Sequence, residues 1–388
     1  EITIPESVKV LEAAIFKNCE SLQTATINAQ IDSIPHGMFK NCKKLKEVNF
    51  KKPNDIKKIN FESFKATALI EIDIPENVVE IDDSAFKYCE NLERVKFPPK
   101  LKMIQSKAFT YCYELRDIEL TDELEFIESR AFANCCKMTS VSFGKSIQRI
   151  GNGAFACTGI TNLYLPDSLE FLEDNSFSNC KKLTRVRFPP SLSHIGVNSF
   201  GSCDKLKKVE FSEGNITIGK YAFTKCHELQ DPCFPSGLIR IGSGAFSDCN
   251  SIRVLRLPHG TKFIGYNAFR YNKNLEVVYF PDTIKHIGRN VFQECPNLKM
   301  IFCSDRVASL FKPNSVSYGS INELRKNCDP KWVLQNIFWS IPSHCSKFYR
   351  IRESILALFL CVSRNGSTEY LPDIPDEIWT HSLSMIEC

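Results

Sequence analysis

Ile81-Asp-Asp-Ser-Ala-Phe86-Lys-Tyr-Cys89-Glu-Asn-Leu92-Glu-Arg-Val95-Lys-Phe97-Pro98 is one copy of a pattern that recurs along most of the chain. Phe86 has counterparts at Phe16, Phe39, Phe64, Phe109, Phe132, Phe155, Phe177, Phe200, Phe223, Phe246, Phe269 and Phe292, spaced by 22 to 25 residues and most often by 23. Five places before each stands Leu or Ile, from Leu11 and Ile34 to Ile264 and Ile287. Ala or Ser usually precedes the Phe, and Cys follows it by three in ten of the thirteen copies. Leu usually follows by six, then an alternating run such as residues 92–97 or 183–188, frequently closed by Pro. The two 22-residue gaps fall where Thr67 and Thr158 replace the Cys and where Leu69 and Ile160 arrive one place early. Thr and deletion travel together, which marks a second geometry of the same turn.

Each copy supplies one short strand with period-two alternation and one compact turn carrying Phe and Cys. Neither piece buries its apolar side alone, so the copies must stack, with the Phe residues as an internal ladder. Parallel strands sit ~4.8 Å apart, and thirteen coils then give a rod or arc about 60 Å long. The fold class expected is an α/β-type repeat solenoid: one parallel sheet of short strands over residues 1–303, and a small α-helical C-terminal cap over 304–388.

The unit φ-x-x-x-x-F-x-x-C-x-x-L-x-x-V-x-F-P, with Gly often after the first apolar position, resembles the BspA-like class of leucine-rich repeats. Ala154-Phe-Ala-Cys-Thr-Gly-Ile160 is similar to that family's Thr-Gly alternative form. The resemblance covers roughly residues 1–303 and implies a binding surface, as in bacterial surface adhesins and the repeat proteins of protists. It implies no catalytic residue and no cofactor.

Composition narrows the function. With 388 residues, 43% hydrophobic and 24% charged, the chain is a folded protein rather than a disordered one. A net charge of +4 is too mild to announce nucleic acid. The longest apolar run, residues 355–362, is well short of the ~20 residues that span a bilayer, so no membrane anchor is expected. Glu1-Ile-Thr-Ile-Pro5 reads as the tail of a repeat, so an N-terminal truncation is expected.

Ten of the 18 Cys share one repeat position and should stack as small buried hydrophobes that accept a weak backbone contact. Thr at the same slot suits tight packing better than an obligatory bridge, and parallel side-chain vectors disfavour disulfides. No Cys-x-x-Cys occurs, and Cys135-Cys136 is too close for a zinc pair. A thiol-rich array prefers a reducing compartment, so a cytoplasmic protein is expected, with the cell surface as the alternative.

The residues flanking the strand Val point away from the core and form the candidate binding face. Arg94 with Lys96, and Arg185 with Arg187, are basic spots separated by acidic or neutral coils, and the acidic coils interrupt any continuous track for nucleic acid. Exposed aromatics and arginines dominate protein-binding hot spots, which selects Tyr164 with Arg185 and Arg187, or Tyr279 with Arg256. Val254, Val277, Tyr279, Met300 and Phe302 form an apolar end that the C-terminal segment should cover. That segment holds helix-like stretches near 307–311, 321–327, 330–340 and 350–364. Residues 371–386 are similar to the opening of an F-box, although one helix is too little for a whole one.

No dinucleotide loop, phosphate loop, nucleophile elbow or helical metal-site spacing is present; Gly151-Asn-Gly153 and Gly242-Ser-Gly244 belong to the repeat's own turn. The function expected is a non-catalytic scaffold that presents a rigid surface to a protein ligand. A surface adhesin is the first alternative, and an F-box-like adaptor for ubiquitin ligation the second.

Overall fold

The structure is a computed structural model that describes residues 1–50 and 55–311. Each repeat forms one coil, and three hydrogen-bonded tracks run from coil to coil.

The first track is a continuous parallel sheet of twelve strands, in chain order from Ser33–Ile34 to His286–Ile287. It is built on the apolar residue five places before each Phe, so that Ile59 pairs with Ile81, Ile81 with Ile104 and Ile127 with Ile150. Those residues are fully buried while their strand neighbours face out. Most of these strands are two residues long because a turn begins on either side.

The second track is the alternating run that the sequence expects to form the only sheet. Its strands are parallel and in register, but they split into five groups: Ile2–Ile4 to Glu47–Phe50, Glu71–Asp73 with Arg94–Lys96, Ile118–Glu119 with Val141–Ser142, Asn162–Tyr164 to Lys208–Phe211, and Val254–Arg256 to Met300–Phe302. Three of the four interruptions follow from the sequence. Two coincide with coils of irregular length, before Glu71 and before Asn162. The third falls where Pro232 takes the Val slot and removes a ladder donor, leaving only an isolated Glu210–Cys233 bridge. The fourth, between Lys96 and Ile118, follows no irregularity of length.

The third track is the Phe-bearing turn itself. In the coil of Phe86, the N–H groups of Ser84, Phe86 and Tyr88 donate to Ser106, Ala108 and Thr110 of the next coil at 2.8–3.0 Å. The intervening N–H groups of Ala85, Lys87 and Cys89 close three-residue turns onto Asp82, Ser84 and Phe86. Aiming alternate amides forward requires the residues two before and two after each Phe to be left-handed. Both hold positive φ in every coil, for instance Ser84 at 58° and Tyr88 at 63°. Gly fills only three of these positions, Gly37, Gly153 and Gly244; elsewhere the stacked turn holds an L-residue in a conformation that costs about 1–2 kcal/mol.

Inside, the Phe rings form one column from Phe16 to Phe292, stacked with centroids 4.9–5.9 Å apart. The Phe closing a strand packs edge-on against this column, as Phe97 does on Phe109 and Phe188 on Phe200. In ten of the thirteen coils the residue before the Phe is Ala or Ser, walled in by the stack; Ser199 fits by donating its hydroxyl to the Gly196 carbonyl at 2.6 Å.

Nine of the ten cysteines at the repeat position are buried as expected, whereas Cys19 of the first coil is exposed, and the polarity of the column is the reverse of that expected. Each of nine thiols donates to the carbonyl of the Phe one coil back, Cys112 to Phe86 and Cys226 to Phe200 among them, at 3.0–3.3 Å. The slot therefore asks for a small donor. Thr67 and Thr158 meet it by turning their hydroxyls onto the Phe64 and Phe155 carbonyls of their own coils. No disulfide joins the described cysteines.

At the far end, Ser304 caps the short helix Asp305–Ala308, which buries Val307. Phe311 then stands edge-on to Phe280 at 5.3 Å and lies over Phe292 at 6.4 Å, extending the column by one ring. This helix is the only one among the described residues, so the coils themselves contain essentially no helix. The helices expected beyond 312 and the F-box-like stretch 371–386 lie outside the described residues.

Candidate protein-binding face

Strand registry on the second track decides which outward side chains meet. Arg94 lies beside Glu71 and its guanidinium reaches both Glu71 at 2.9 Å and Asp73 at 3.2 Å. The basic spot expected at Arg94 is thus balanced by the coil before it, and Lys96 stands exposed next to Asp73 in the ladder.

Asn162–Tyr164, Arg185–Phe188 and Lys208–Phe211 bring together the second expected cluster. Tyr164 is 55% exposed, and Arg187 follows it in register, itself exposed and followed by Glu210. Arg185 reaches Glu210 at 3.0 Å, and Lys208 reaches the same carboxylate at 2.7 Å. The Lys208 hydrogen bond is the largest cause holding Glu210 below the usual carboxylate range, with Arg185 and Arg187 adding to it. The patch presents a projecting aromatic beside a guanidinium, on a floor of paired charge.

At the last coils Arg256, Tyr279 and Phe302 share one register position. The guanidinium lies 5.4 Å from the Tyr279 ring, which stacks on Phe302 at 4.7 Å. Val277 and Met300, expected among the outward apolar residues, are each 4% exposed, so that patch is not open. All seven residues selected from sequence lie on the second track, in three separate places rather than one site.

Sequence reasoning passed over two features. The outward side of the long sheet carries Phe171, 58% exposed, and the cation–π pairs Arg149 on Phe126 and Arg240 on Phe263. Their signal was available as the residue six before each column Phe. The other is Asn272, the third exception at the cysteine slot. Fully buried, it donates to the Phe246 and Phe269 carbonyls and accepts from the Cys249 N–H. Among the described residues no three His, Cys, Asp or Glu side chains gather as metal ligands, and no helix is long and apolar enough to cross a membrane.

The coil length, the phased Phe column and the parallel tracks define a leucine-rich-repeat solenoid of about thirteen turns. The chain belongs to the BspA type leucine rich repeat family, whose pattern matches residues 1–93, 79–207 and 193–322. It is similar to a leucine-rich repeat protein of Bacteroides ovatus, with 28% identity over 81% of this chain and 90% of that one, and a TM-score of 0.68. A leucine rich cell surface protein of Faecalibacterium prausnitzii is 22% identical over 82% of this chain and 91% of its own, with a TM-score of 0.46. The pneumococcal vaccine antigen PcpA is 18% identical over 82% and 88%, with a TM-score of 0.47. No curated protein matches the sequence.

Proposed function

We propose that the protein is a non-catalytic scaffold that binds a protein ligand on the second track, with Tyr164 and Arg187 at the centre of the contact and Arg185 bracing them. The observation that carries this is the registry: three consecutive strands, paired in register, hold an exposed Tyr, an exposed Arg and a carboxylate in fixed order. Such a surface loses little ordering entropy on binding, and Tyr and Arg supply the desolvated anchors. Arg94 with Lys96, and Arg256 with Tyr279, are secondary contact points.

The compartment proposed is reducing and cytoplasmic. Nine thiols serve as hydrogen-bond donors in the core, a role a disulfide would abolish. An exported adhesin is the competing outcome of a thiol count on protein from its native source, alkylated before and after reduction. Free thiols throughout support the scaffold; paired column thiols put the adhesin first.

The binding reading is tested by affinity capture with the full chain from its native lysate, comparing wild type with Tyr164→Ala, Arg187→Glu and the long-sheet control Phe171→Ala. A ligand lost from the first two variants and kept by the control supports it. Capture that survives both face variants refutes it.

A further inference from the structure

Five described cysteines stand outside the buried column: Cys19, Cys136 and Cys233 are exposed, and Cys157 and Cys303 half-buried. Two of them lie on adjacent coils and line one concavity: Cys136, four residues after Phe132, and Cys157, two after Phe155. Cys157 follows Phe155 by two and is therefore one of the left-handed turn residues, with φ of 61°. That position lies off the column in every coil; the column slot after it belongs to Thr158, whose hydroxyl turns inward to the Phe155 carbonyl.

The coil of Phe155 is one of those shortened by a residue, and Gly159 is where it closes. A Cβ on Gly159 would lie 2.5 Å from the Cys136 carbonyl oxygen and 3.0 Å from that of Met138. The shortened backbone thus rests directly on the coil before it, and only Gly allows that approach. The consequence is an open concavity lined by Cys136, Cys157, Thr158, Asn179, Lys181 and Lys182. Within it the Cys136 sulfur lies 3.7 Å from the Cys157 carbonyl oxygen. Burial, then the neighbouring Cys180 and Cys136 sulfurs, push the Cys157 thiol up, while Lys181 opposes them. Accessibility therefore makes Cys136 the first to react and Cys157 the slower second.

We propose that Cys136 is a thiol-exchange site for small disulfides bearing carboxylates, with Cys157 as its resolving thiol and Lys182, seconded by Lys181, which Asp204 already pairs at 3.0 Å, attracting the anionic substrate. In the first step Cys136 loses its proton to water and its thiolate attacks one sulfur of R–S–S–R. The substrate S–S bond breaks, a mixed disulfide forms on Cys136, and one thiolate leaves and takes up a proton. Cys157, deprotonated in turn, attacks the Cys136 sulfur and expels the second thiolate. Two protein thiols are oxidised to one disulfide while R–S–S–R is reduced to two R–SH. The column thiols take no part, since each is buried and committed to a carbonyl.

The test uses the reduced full chain and glutathione disulfide, with alkylation quenching and peptide mapping over time. The mixed disulfide should appear first on Cys136 and give way to a Cys136–Cys157 crosslink. In Cys157→Ser the adduct should persist about tenfold longer, and Cys136→Ser should abolish both species. Lys181→Gln with Lys182→Gln should slow the reaction of glutathione disulfide by about tenfold but not that of uncharged hydroxyethyl disulfide. Faster modification of any other cysteine overturns the assignment of Cys136, an adduct equally short-lived in Cys157→Ser overturns the resolving role, and equal rates with both disulfides overturn the lysine role. The order of labelling in the unsubstituted protein decides the first point even if a variant misfolds.

Discussion

The thiol column makes a sharp prediction about alkaline pH, and one substitution isolates it. Burial, the largest cause, pushes the Cys89 thiol from its ordinary 9.0 up to about 11, and that of Cys295 to about 12. Cys112, Cys135, Cys226 and Cys249 are raised by the same cause. Between pH 9 and 11 the unfolded chain has released protons that the folded chain retains, so stability falls as pH rises. The contribution is whole below pH 9 and lost as pH climbs through the folded value. At pH 10 an unfolded Cys89 is about nine-tenths ionised and a folded one about one-tenth, which costs roughly 1.4 kcal/mol for this residue alone. Several such thiols together approach the ~5–15 kcal/mol that holds a typical domain folded.

Lysines and tyrosines titrate in the same range, so the bare pH dependence does not discriminate. Cys89→Thr does. Thr occupies this slot at residues 67 and 158, where its hydroxyl caps a Phe carbonyl, so the variant keeps a donor and loses one titrating group. Urea unfolding of both proteins at about pH 8 and about pH 10, under reductant, yields two losses of stability. The wild type should lose about 1.3 kcal/mol more than the variant. Equal losses would refute the claim that buried Cys89 stays protonated in this range.

Further substitutions probe the remaining structural claims. Phe155→Ala removes a fully buried ring stacked between Phe132 and Phe177 and should cost about 3–5 kcal/mol by urea unfolding. Asn272→Leu strands the Cys249 N–H and takes the amide donor from two Phe carbonyls, so it should destabilise by about 3 kcal/mol or more; Asn272→Cys, which keeps a donor of the column type, should cost less in the same assay. Gly159→Ala sets a Cβ 2.5 Å from the Cys136 carbonyl and should cost about 1–3 kcal/mol, with faster amide exchange in that coil. Lys225→Gly relieves a left-handed Lys at φ 58° whose N–H still donates to Ser247, and should raise stability by about 1 kcal/mol; no gain would mean the turn imposes no strain there.

Much of this architecture is legible in the chain because every coil repeats the same demand. The phase of Phe, Ile and Cys gives the column, the coil length and the buried slots directly. The long sheet is not legible in the same way. Strands such as Glu80–Ile81 are too short to show alternation, and only the stacking of Ile on Ile reveals that they pair. The left-handed pairs around each Phe are hidden for a different reason. Tyr88, Lys107 and Tyr111 occupy them, residue types with no preference for that conformation, because their amides are held by the carbonyls of the next coil. At the candidate face, reading each coil separately left Arg94 a free cation. Its partner Glu71 stands one repeat earlier at the same position, so pairing residues across the period would have found it.

Cys, Thr and Asn at the slot after Phe look like three unrelated choices until the carbonyls are counted. Most of the Phe carbonyls already accept the N–H three residues on, as Phe86 does from Cys89, and have one lone pair left facing a packed interior. Leaving it unmet is costly, and the space admits only a short side chain. A thiol reaches the carbonyl one coil back, a hydroxyl the carbonyl of its own coil, and the Asn272 amide both at once. What the repeat conserves in structure at this position is a small donor, and sulfur is one way to supply it. The redox chemistry of sulfur is then incidental in the column and available only where a cysteine escapes it. Cys157, at the turn position two after its Phe, and Cys136, four after its own, both stand outside the column. Together with Thr158 and Gly159 of the shortened coil they line one concavity, the one place among the described residues where two accessible thiols on adjacent coils do so.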